Sequence, residues 1–264
     1  EPNKTVPLIQ VVQPLQEISD NLKKQVTIHS GHVSELYYQE NWHIKIPDKL
    51  QITSNKVVLA TGSDPNAPHY HSPNVIPLTI ALNPEKISSI INPDDNVLVF
   101  GSSHSAILVM KNLVDAGIEK IINIYRRNLI YAETHDRKIK YDITGLKGIA
   151  AIWAKQHLEV KPLENISRHL LNQVNIKSLL KKTTKQIYAT GFQRRNNIMT
   201  TSINLNYYNK NTGFISDNLY GLGIAYPLFQ KDSFGIKEYK VGINCFLNHA
   251  DLIIKKAQGI KATA

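Results

Sequence analysis

Residues 96–125, NVLVFGSSHSAILVMKNLVDAGIEKIINIY, decide the fold. Two apolar runs flank a segment in which apolar residues recur at helical spacing, and a glycine follows the first run and the helical segment. The pattern predicts a strand, a crossover helix and a second strand parallel to the first, which is the basic unit of a doubly wound α/β sheet. The predicted elements are strand Asn96–Phe100, turn Gly101–Ser103, helix His104–Ala116 and strand Lys120–Tyr125.

The flanking sequence predicts further elements on both sides of this β-α-β unit. Prolines crowd the segment between Ser63 and Pro93 and predict a connecting region, because proline interrupts helices and sheets. Before it, the apolar run Lys56–Ala60 predicts a buried strand. After the unit, the patterns predict helices at Leu146–Leu158, Ile166–Leu171 and Val241–Lys256, and a strand at Gln186–Ala189.

Composition excludes several classes of protein. The 264 residues are 42% hydrophobic and 20% charged, which is typical of a globular chain. No apolar run approaches the ~18 residues that a membrane span requires. The single cysteine, Cys245, excludes internal disulfides and a redox dithiol. The N-terminus resembles no secretory signal, so we expect a cytoplasmic protein without a membrane partner.

The chain is basic, with a formal net charge of +10. Such a charge favours anionic partners, including phosphorylated cofactors. The basic residues are scattered and no interleaved aromatic residues accompany them, so a nucleic-acid partner is not expected.

The turn after the first predicted strand has the setting of a phosphate-binding loop. A glycine permits a sharp turn, the following helix offers backbone N–H groups, and a small residue lets helix and strand pack closely. His104, at the start of the helix, is a candidate donor to a cofactor phosphate. The pattern departs from Gly-x-Gly-x-x-Gly at Ser103 and Ala106, and an ordinary strand-to-helix turn is the alternative. The candidate residues are Gly101, Ser102, Ser103, His104, Ser105 and Ala106.

Arg126 and Arg127 follow the second predicted strand. At this position of a dinucleotide-binding fold an acidic residue receives the ribose hydroxyls of NAD, whereas arginine accommodates the 2′-phosphate of NADP. The pair therefore favours NADP(H) over NAD(H). The alternative is that the two arginines begin an exposed loop.

Three short motifs follow one another along the chain: Val57-Val58-Leu59-Ala60-Thr61-Gly62-Ser63-Asp64-Pro65, Val97-Leu98-Val99-Phe100-Gly101-x-Ser103-x-Ser105-Ala106 and Ile187-Tyr188-Ala189-Thr190-Gly191-Phe192. In this order they resemble the FAD-dependent pyridine nucleotide-disulphide oxidoreductase superfamily, particularly its flavin monooxygenase and lysine/ornithine N-hydroxylase-like branches. The resemblance implies that NADPH binds to the β-α-β domain and passes hydride to FAD. It also implies that both Ala-Thr-Gly turns border FAD, through Ala60, Thr61 and Gly62 and through Ala189, Thr190 and Gly191.

Departures from the family pattern shape the expected domain organisation. No Gly-x-Gly-x-x-Gly strand precedes Val57, and Leu222-Gly223-Ile224-Ala225 stands where relatives carry a Gly-Asp contact to the flavin. We therefore expect a Rossmann-like NADP-binding domain at 94–160 inserted in a partial FAD-binding α/β domain, formed by 1–93 and by 161–264 with its C-terminal helix. The alternative is a truncated or degenerate member that binds NADP(H) at most, unless a separate polypeptide supplies the FAD-binding segment.

Other candidate sites are weaker. His69, Tyr70 and His71 lie between prolines and offer either metal ligands or an acid/base pair, although no third ligand has suitable spacing and exposed loop residues are the alternative. We therefore assign no metal. Ser103 and Ser105 lack the Gly-x-Ser-x-Gly setting of a hydrolase nucleophile, so a catalytic triad is not expected.

Overall fold

The computed structural model describes residues 8–47, 50–68, 70, 73–136, 138–195, 198–201 and 203–258. Its chain divides into two compact units. Unit 1 consists of Glu1–Ser63, Arg194–Gln230 and Tyr239–Ala264, and unit 2 consists of Asp64–Gln193 and Lys231–Glu238.

The regular elements are numbered in chain order. The helices are α1 (Leu8–Lys23), α2 (Leu78–Ala81), α3 (Pro84–Ser88), α4 (His104–Asp115), α5 (Gly148–Ala154), α6 (Ile176–Lys182) and α7 (Ile243–Ala257). The strands are β1 (Glu35–Gln39), β2 (Asn41–Ile46), β3 (Leu50–Ser54), β4 (Val57–Leu59), β5 (Ser63–Pro65), β6 (Asn96–Phe100), β7 (Lys120–Tyr125), β8 (Glu133–His135), β9 (Lys138–Lys140), β10 (Ile166–Leu170), β11 (Lys185–Tyr188), β12 (Phe192–Arg194), β13 (Met199–Thr200), β14 (Phe214–Ser216), β15 (Leu219–Gly221), β16 (Leu228–Lys231) and β17 (Lys237–Lys240).

A four-stranded sheet with the order β10-β7-β6-β11 forms the centre of unit 2, and all its neighbouring strands are parallel. α4 is the crossover between β6 and β7, as the sequence predicts. Gly117 follows the C-terminus of α4 with φ +80, a conformation that glycine adopts at little cost. The α/β fold class is therefore confirmed.

Apolar residues cover both faces of this sheet. Alternate residues of β6 point to opposite sides: Val97 and Val99 enter one buried core, and Leu98 and Phe100 enter another. α4 packs into the first core through the helically spaced residues Ala106, Ile107, Met110 and Leu113, and α6 contributes Ile176 to the second. Both faces of a parallel sheet must be covered, which explains why β6 and β7 are continuous apolar runs.

One predicted helix of unit 2 is wrong. Ile166–Leu171 contains the strand β10, which pairs in parallel with β7 and places Ile166 opposite Ile121. So short a segment carries little intrinsic preference, and the hydrogen bonds offered by the edge of β7 determine its conformation.

Unit 2 extends beyond the range 94–160 at both ends. The main-chain N–H of Ile76 donates to the carbonyl of Gln186 over 2.8 Å, and the N–H of Gln186 donates to the carbonyl of Asn74 over 3.0 Å. The proline-rich segment is thereby tied to β11, and β11 itself pairs with β6.

Unit 1 contains a four-stranded sheet with the order β13-β1-β2-β3 and a three-stranded sheet with the order β14-β15-β4. Trp42 lies in the core and donates from Nε1 to the carbonyl of Asp217 over 3.3 Å. The sequence predicts a buried strand at β4, but only Leu59 is buried there. Val58 points to the opposite face of the sheet and is 45% exposed. The buried core consists of Leu36, Trp42, Leu59, Leu205, Ile215, Leu219, Ala225 and Tyr226.

Among the described residues, no helix combines the length and the apolar character that a membrane span requires.

Candidate functional site

A cavity of about 590 Å³ lies in unit 2 where the parallel strands end; we call it the turn cavity. Ligands bind at this edge in open α/β sheets, because the strand ends and helix N-termini present free backbone groups there. Three segments that the sequence predicts to bind cofactor meet in the turn cavity: Gly101–Ser103, Arg126–Arg127 and Ala189–Gly191. Its lining residues are Tyr70, Phe100, Gly101, Ser102, Ser103, Ile124, Tyr125, Arg126, Arg127, Leu171, Ala189, Thr190 and Gly191.

The turn after β6 requires glycine at its first position. Gly101 has φ +127, and a Cβ atom built there would lie 2.3 Å from the carbonyl oxygen of Ala189. The same Cβ would lie 3.2 Å from the Cβ of Ala106, which explains why a small residue occupies that position of α4. The backbone therefore approaches the second Ala-Thr-Gly turn as closely as a residue without a side chain allows.

Asn123 stabilises this turn by hydrogen bonds, and it is not among the site residues that the sequence predicts. Its side chain is fully buried, and its Nδ2 donates to the carbonyl of Gly101 over 2.8 Å and to that of Val99 over 3.1 Å. Its Oδ1 accepts a 3.1 Å hydrogen bond from Nε of Arg168. The available signal was a lone polar residue within the apolar run of β7.

Arg168 extends this network on β10. Its guanidinium lies 4.5 Å from the centre of the Tyr125 ring, a cation–π distance. Burial lowers the pKa of Arg168, while Tyr125, Tyr131 and Glu159 oppose that shift. Arg168 therefore contacts both Asn123, which holds the Gly101 turn, and Tyr125, which directly precedes the two candidate arginines.

Arg126 and Arg127 are exposed at the mouth of the turn cavity, directly after β7. Neither forms an ion pair with any residue that the structure describes. Two cations without a protein carboxylate at the edge of a cavity are suited to an anionic ligand, and arginine in particular to a phosphate.

His104 starts α4 but does not line the turn cavity. Its Nε2 accepts a 3.0 Å hydrogen bond from the main-chain N–H of Lys147, which fixes that nitrogen as the unprotonated one. Burial, and secondarily the charge of Lys147, lower the pKa of His104. The imidazole is therefore neutral near pH 7 and ties α4 to the start of α5. Ser105 and Ala106 also lie outside the cavity wall.

The two Ala-Thr-Gly turns lie in different units. Ala189, Thr190 and Gly191 line the turn cavity, and Oγ1 of Thr190 is buried without a hydrogen-bond partner among the described residues. Asn66 secures this turn, since its Nδ2 donates to the carbonyl of Thr190 over 3.0 Å.

Ala60, Thr61 and Gly62 belong to unit 1 and follow β4. Gly62 has φ +75, and its carbonyl accepts a 3.2 Å hydrogen bond from the main-chain N–H of Arg195. The main-chain N–H of Leu222 donates to the carbonyl of Leu59 over 2.9 Å, so the Leu222–Ala225 segment begins beside this turn.

Tyr70 adds an aromatic wall to the turn cavity. Its ring stacks on Phe100 at a centroid distance of 6.1 Å, and Phe100 stacks on Tyr188 at 4.6 Å. The flanking candidates His69 and His71 lie outside the described residues. The apolar part of the wall, which includes Ile124 and Leu171, was not predicted, because these residues meet only after the sheet has formed.

Comparisons with known proteins agree with this architecture, although no protein-family model matches the chain. The monooxygenase AgnR1 of Paecilomyces divaricatus is 27% identical over 256 residues, covering 82% of this chain and 65% of that protein. The chain thus spans just under two thirds of the length of this relative.

Solved structures share the fold at low sequence identity. Bacillithiol disulfide reductase Bdr (YpdA) from Staphylococcus aureus superposes with a TM-score of 0.57 at 15% identity, covering 94% of this chain and 76% of that one. The flavin monooxygenase from Stenotrophomonas maltophilia gives a TM-score of 0.51 at 10% identity, with coverages of 86% and 71%. The predicted resemblance is confirmed: the chain has the Rossmann-type fold of the FAD-dependent disulfide reductases and flavin monooxygenases.

Proposed function

We propose that this chain belongs to a flavin-dependent oxidoreductase of the monooxygenase or reductase type, in which unit 2 binds NADPH and hydride passes from NADPH to FAD. The observation that carries the proposal is the composition of the turn cavity. A glycine turn at a helix N-terminus, a pair of exposed arginines and a Thr-Gly turn converge on one cavity at the ends of parallel strands.

Features of the cavity fit a phosphorylated dinucleotide. Ser102 and Ser103 line the cavity at the start of α4, and the side chain of Ser103 makes no capping hydrogen bond there, which suits this helix N-terminus to a pyrophosphate. The buried Oγ1 of Thr190 lacks a partner that a polar ligand group would supply. Arg126 and Arg127 line the same cavity, which supports their assignment to the 2′-phosphate of NADPH. When bound, the nicotinamide supplies hydride and the flavin accepts it, whereas the protein orients the two and limits access of water.

The flavin part of the proposal assigns Ala60, Thr61 and Gly62 to the border of FAD. Two observations support it: Gly62 has a positive φ at the end of a strand, where the backbone can approach a ligand, and the relative AgnR1 is named a monooxygenase.

A second candidate function is NADP(H) binding without independent turnover. The turn cavity supports it, because every residue that lines this cavity belongs to unit 2 and none belongs to the unit that contains Ala60, Thr61 and Gly62.

Cofactor titration tests the proposal and separates it from the alternative. We expect NADPH to bind more tightly than NADH, measured by calorimetry, and we expect a bound FAD spectrum that bleaches on addition of NADPH. NADPH binding without FAD binding would support the second candidate. Failure to bind either dinucleotide would contradict both.

A further inference from the structure

The turn cavity has a cationic end and an aromatic end. Arg126 and Arg127 line it after β7, and Leu171 lines it after β10. Tyr70 lines it beside β11, together with residues 189–191 of the turn that follows that strand. The turn after β6 lies between the two ends, because β6 separates β7 from β11 in the sheet.

The strand order reverses between β6 and β11. From β6 the chain leads through β7 to β10 at one edge of the sheet, and β11 then pairs with the opposite side of β6. Dinucleotides in doubly wound folds bind across such a reversal, at the carboxyl ends of the strands. A dinucleotide whose 2′-phosphate lies at β7 therefore extends past the turn after β6 and ends at β11.

Tyr70 provides an aromatic surface at the β11 end. Its ring stacks on that of Phe100 with 6.1 Å between the centroids and 30° between the planes. Oη of Tyr188, the last residue of β11, lies 3.5 Å from the carbonyl oxygen of Tyr70. Tyr70 is half-buried and lines the cavity, so a flat ring of a ligand can pack against it.

Thr190 provides a polar group at the same end. Its Oγ1 is buried and has no hydrogen-bond partner among the described residues, whereas its carbonyl oxygen accepts a 3.0 Å hydrogen bond from Nδ2 of Asn66. The carboxamide of nicotinamide offers both donor hydrogens and an acceptor oxygen. Such a group satisfies the hydroxyl whichever way the amide is turned.

The geometry points to one orientation of NADPH in the turn cavity, an inference that rests on the proposed function. The adenosine half, with its 2′-phosphate, lies at the two arginines and Leu171. The nicotinamide ring packs against Tyr70, and its carboxamide bonds to the hydroxyl of Thr190. Tyr70 and Thr190 thus bind the nicotinamide half only. In this orientation the nicotinamide reaches the Thr-Gly turn that the sequence assigns to the border of FAD, where hydride transfer requires it.

Two ligands distinguish the ends of the cavity. Adenosine 2′,5′-bisphosphate carries the adenosine half with its 2′-phosphate but no nicotinamide, whereas NADPH carries both halves. Calorimetry on the full chain gives the dissociation constant of each ligand for each variant. Because both ligands are measured on the same protein, partial unfolding of a variant affects them alike and leaves the ratio of the two constants unaltered.

Tyr70→Ala should raise the dissociation constant of NADPH about fivefold and leave that of adenosine 2′,5′-bisphosphate unaltered, because only the nicotinamide loses a packing surface. Tyr70→Phe keeps the ring and should bind NADPH more tightly than Tyr70→Ala does. Leu171→Ala is the matched control at the other end of the cavity. It should weaken NADPH and adenosine 2′,5′-bisphosphate alike.

Thr190→Val removes the hydroxyl and keeps the shape of the side chain. It should raise the dissociation constant of NADPH about fivefold, again without an effect on adenosine 2′,5′-bisphosphate. Thr190→Ser, which keeps the hydroxyl, should bind NADPH more tightly than Thr190→Val does.

The outcomes separate this inference from the proposed function. Wild type that binds neither ligand would contradict the proposed function itself. Wild type that binds both, with Tyr70→Ala and Thr190→Val weakening the two ligands equally or neither of them, would overturn the orientation. So would a Leu171→Ala variant that weakens NADPH but spares adenosine 2′,5′-bisphosphate.

Discussion

Nδ2 of Asn123 donates a hydrogen bond to the carbonyl of Gly101 over 2.8 Å and thereby joins the middle of β7 to the turn after β6. The bond is fully buried at the Asn123 end, where competition from water is excluded. It fixes the orientation of the first peptide of the turn, on which any backbone contact to a phosphate depends.

Replacement of Asn123 by leucine should weaken both folding and NADPH binding. The carbonyl of Gly101 would lose this donor and Nε of Arg168 would lose its acceptor, and each buried group left unsatisfied costs about 1–3 kcal/mol. We therefore expect the free energy of unfolding, measured with urea, to fall by at least about 2 kcal/mol. Asn112→Leu is the matched control, since Asn112 donates a buried bond to the carbonyl of Ala81. It should lower stability without changing the dissociation constant of NADPH, and an equal loss of affinity in both variants would contradict a local role of Asn123.

The sequence predicts the centre of unit 2 well because β6 and β7 are buried on both faces and their apolar runs admit no other arrangement. β10 escapes prediction because Ser167 and His169 are exposed, which leaves no continuous apolar run; pairing with β7 makes it a strand. The hydrogen bond between Arg168 and Asn123 cannot be predicted from either segment alone, because it forms only when β10 pairs with β7. The turn and the arginines are predictable, since each adjoins a strand that the pattern identifies.

Gly101→Ala should be much more damaging than alanine at another glycine of positive φ. The added Cβ would meet the carbonyl oxygen of Ala189 at 2.3 Å, and the backbone or the cavity wall would have to shift. Gly117→Ala is the control, because its φ is +80 but no atom lies within 4 Å of the added Cβ. At Gly117 we expect a loss of only about 1 kcal/mol in the free energy of unfolding, which is the cost of a positive φ for alanine. Urea unfolding and NADPH calorimetry compare the two, and similar losses in both variants would show that the contact with Ala189 is unimportant.

Arg126→Gln and Arg127→Gln should reduce discrimination between the two nicotinamide cofactors. A hydrogen bond to a charged group contributes about 1.5–3 kcal/mol, so each change should raise the NADPH dissociation constant about tenfold or more. Binding of NADH should change little, because it lacks the 2′-phosphate. Lys120→Gln removes an exposed charge at the opposite end of β7 and serves as the control. If NADPH and NADH weakened equally, the arginines would act through the general field of the protein and not at the 2′-phosphate.

The hydrogen bond from Lys147 to His104 predicts a pH dependence of stability. Burial lowers the pKa of His104 in the folded chain, so between that value and the ordinary histidine pKa of about 6.5 the unfolded chain binds more protons. Stability from this site is therefore present above pH ~6.5 and declines as the pH falls. Wild type and His104→Gln should differ in slope between pH 7.5 and 5.5, with wild type losing more stability on acidification. Buried His249 has a lowered pKa as well, but it is common to both proteins and cancels in the comparison. Parallel urea-unfolding profiles across this range would show that His104 titrates normally.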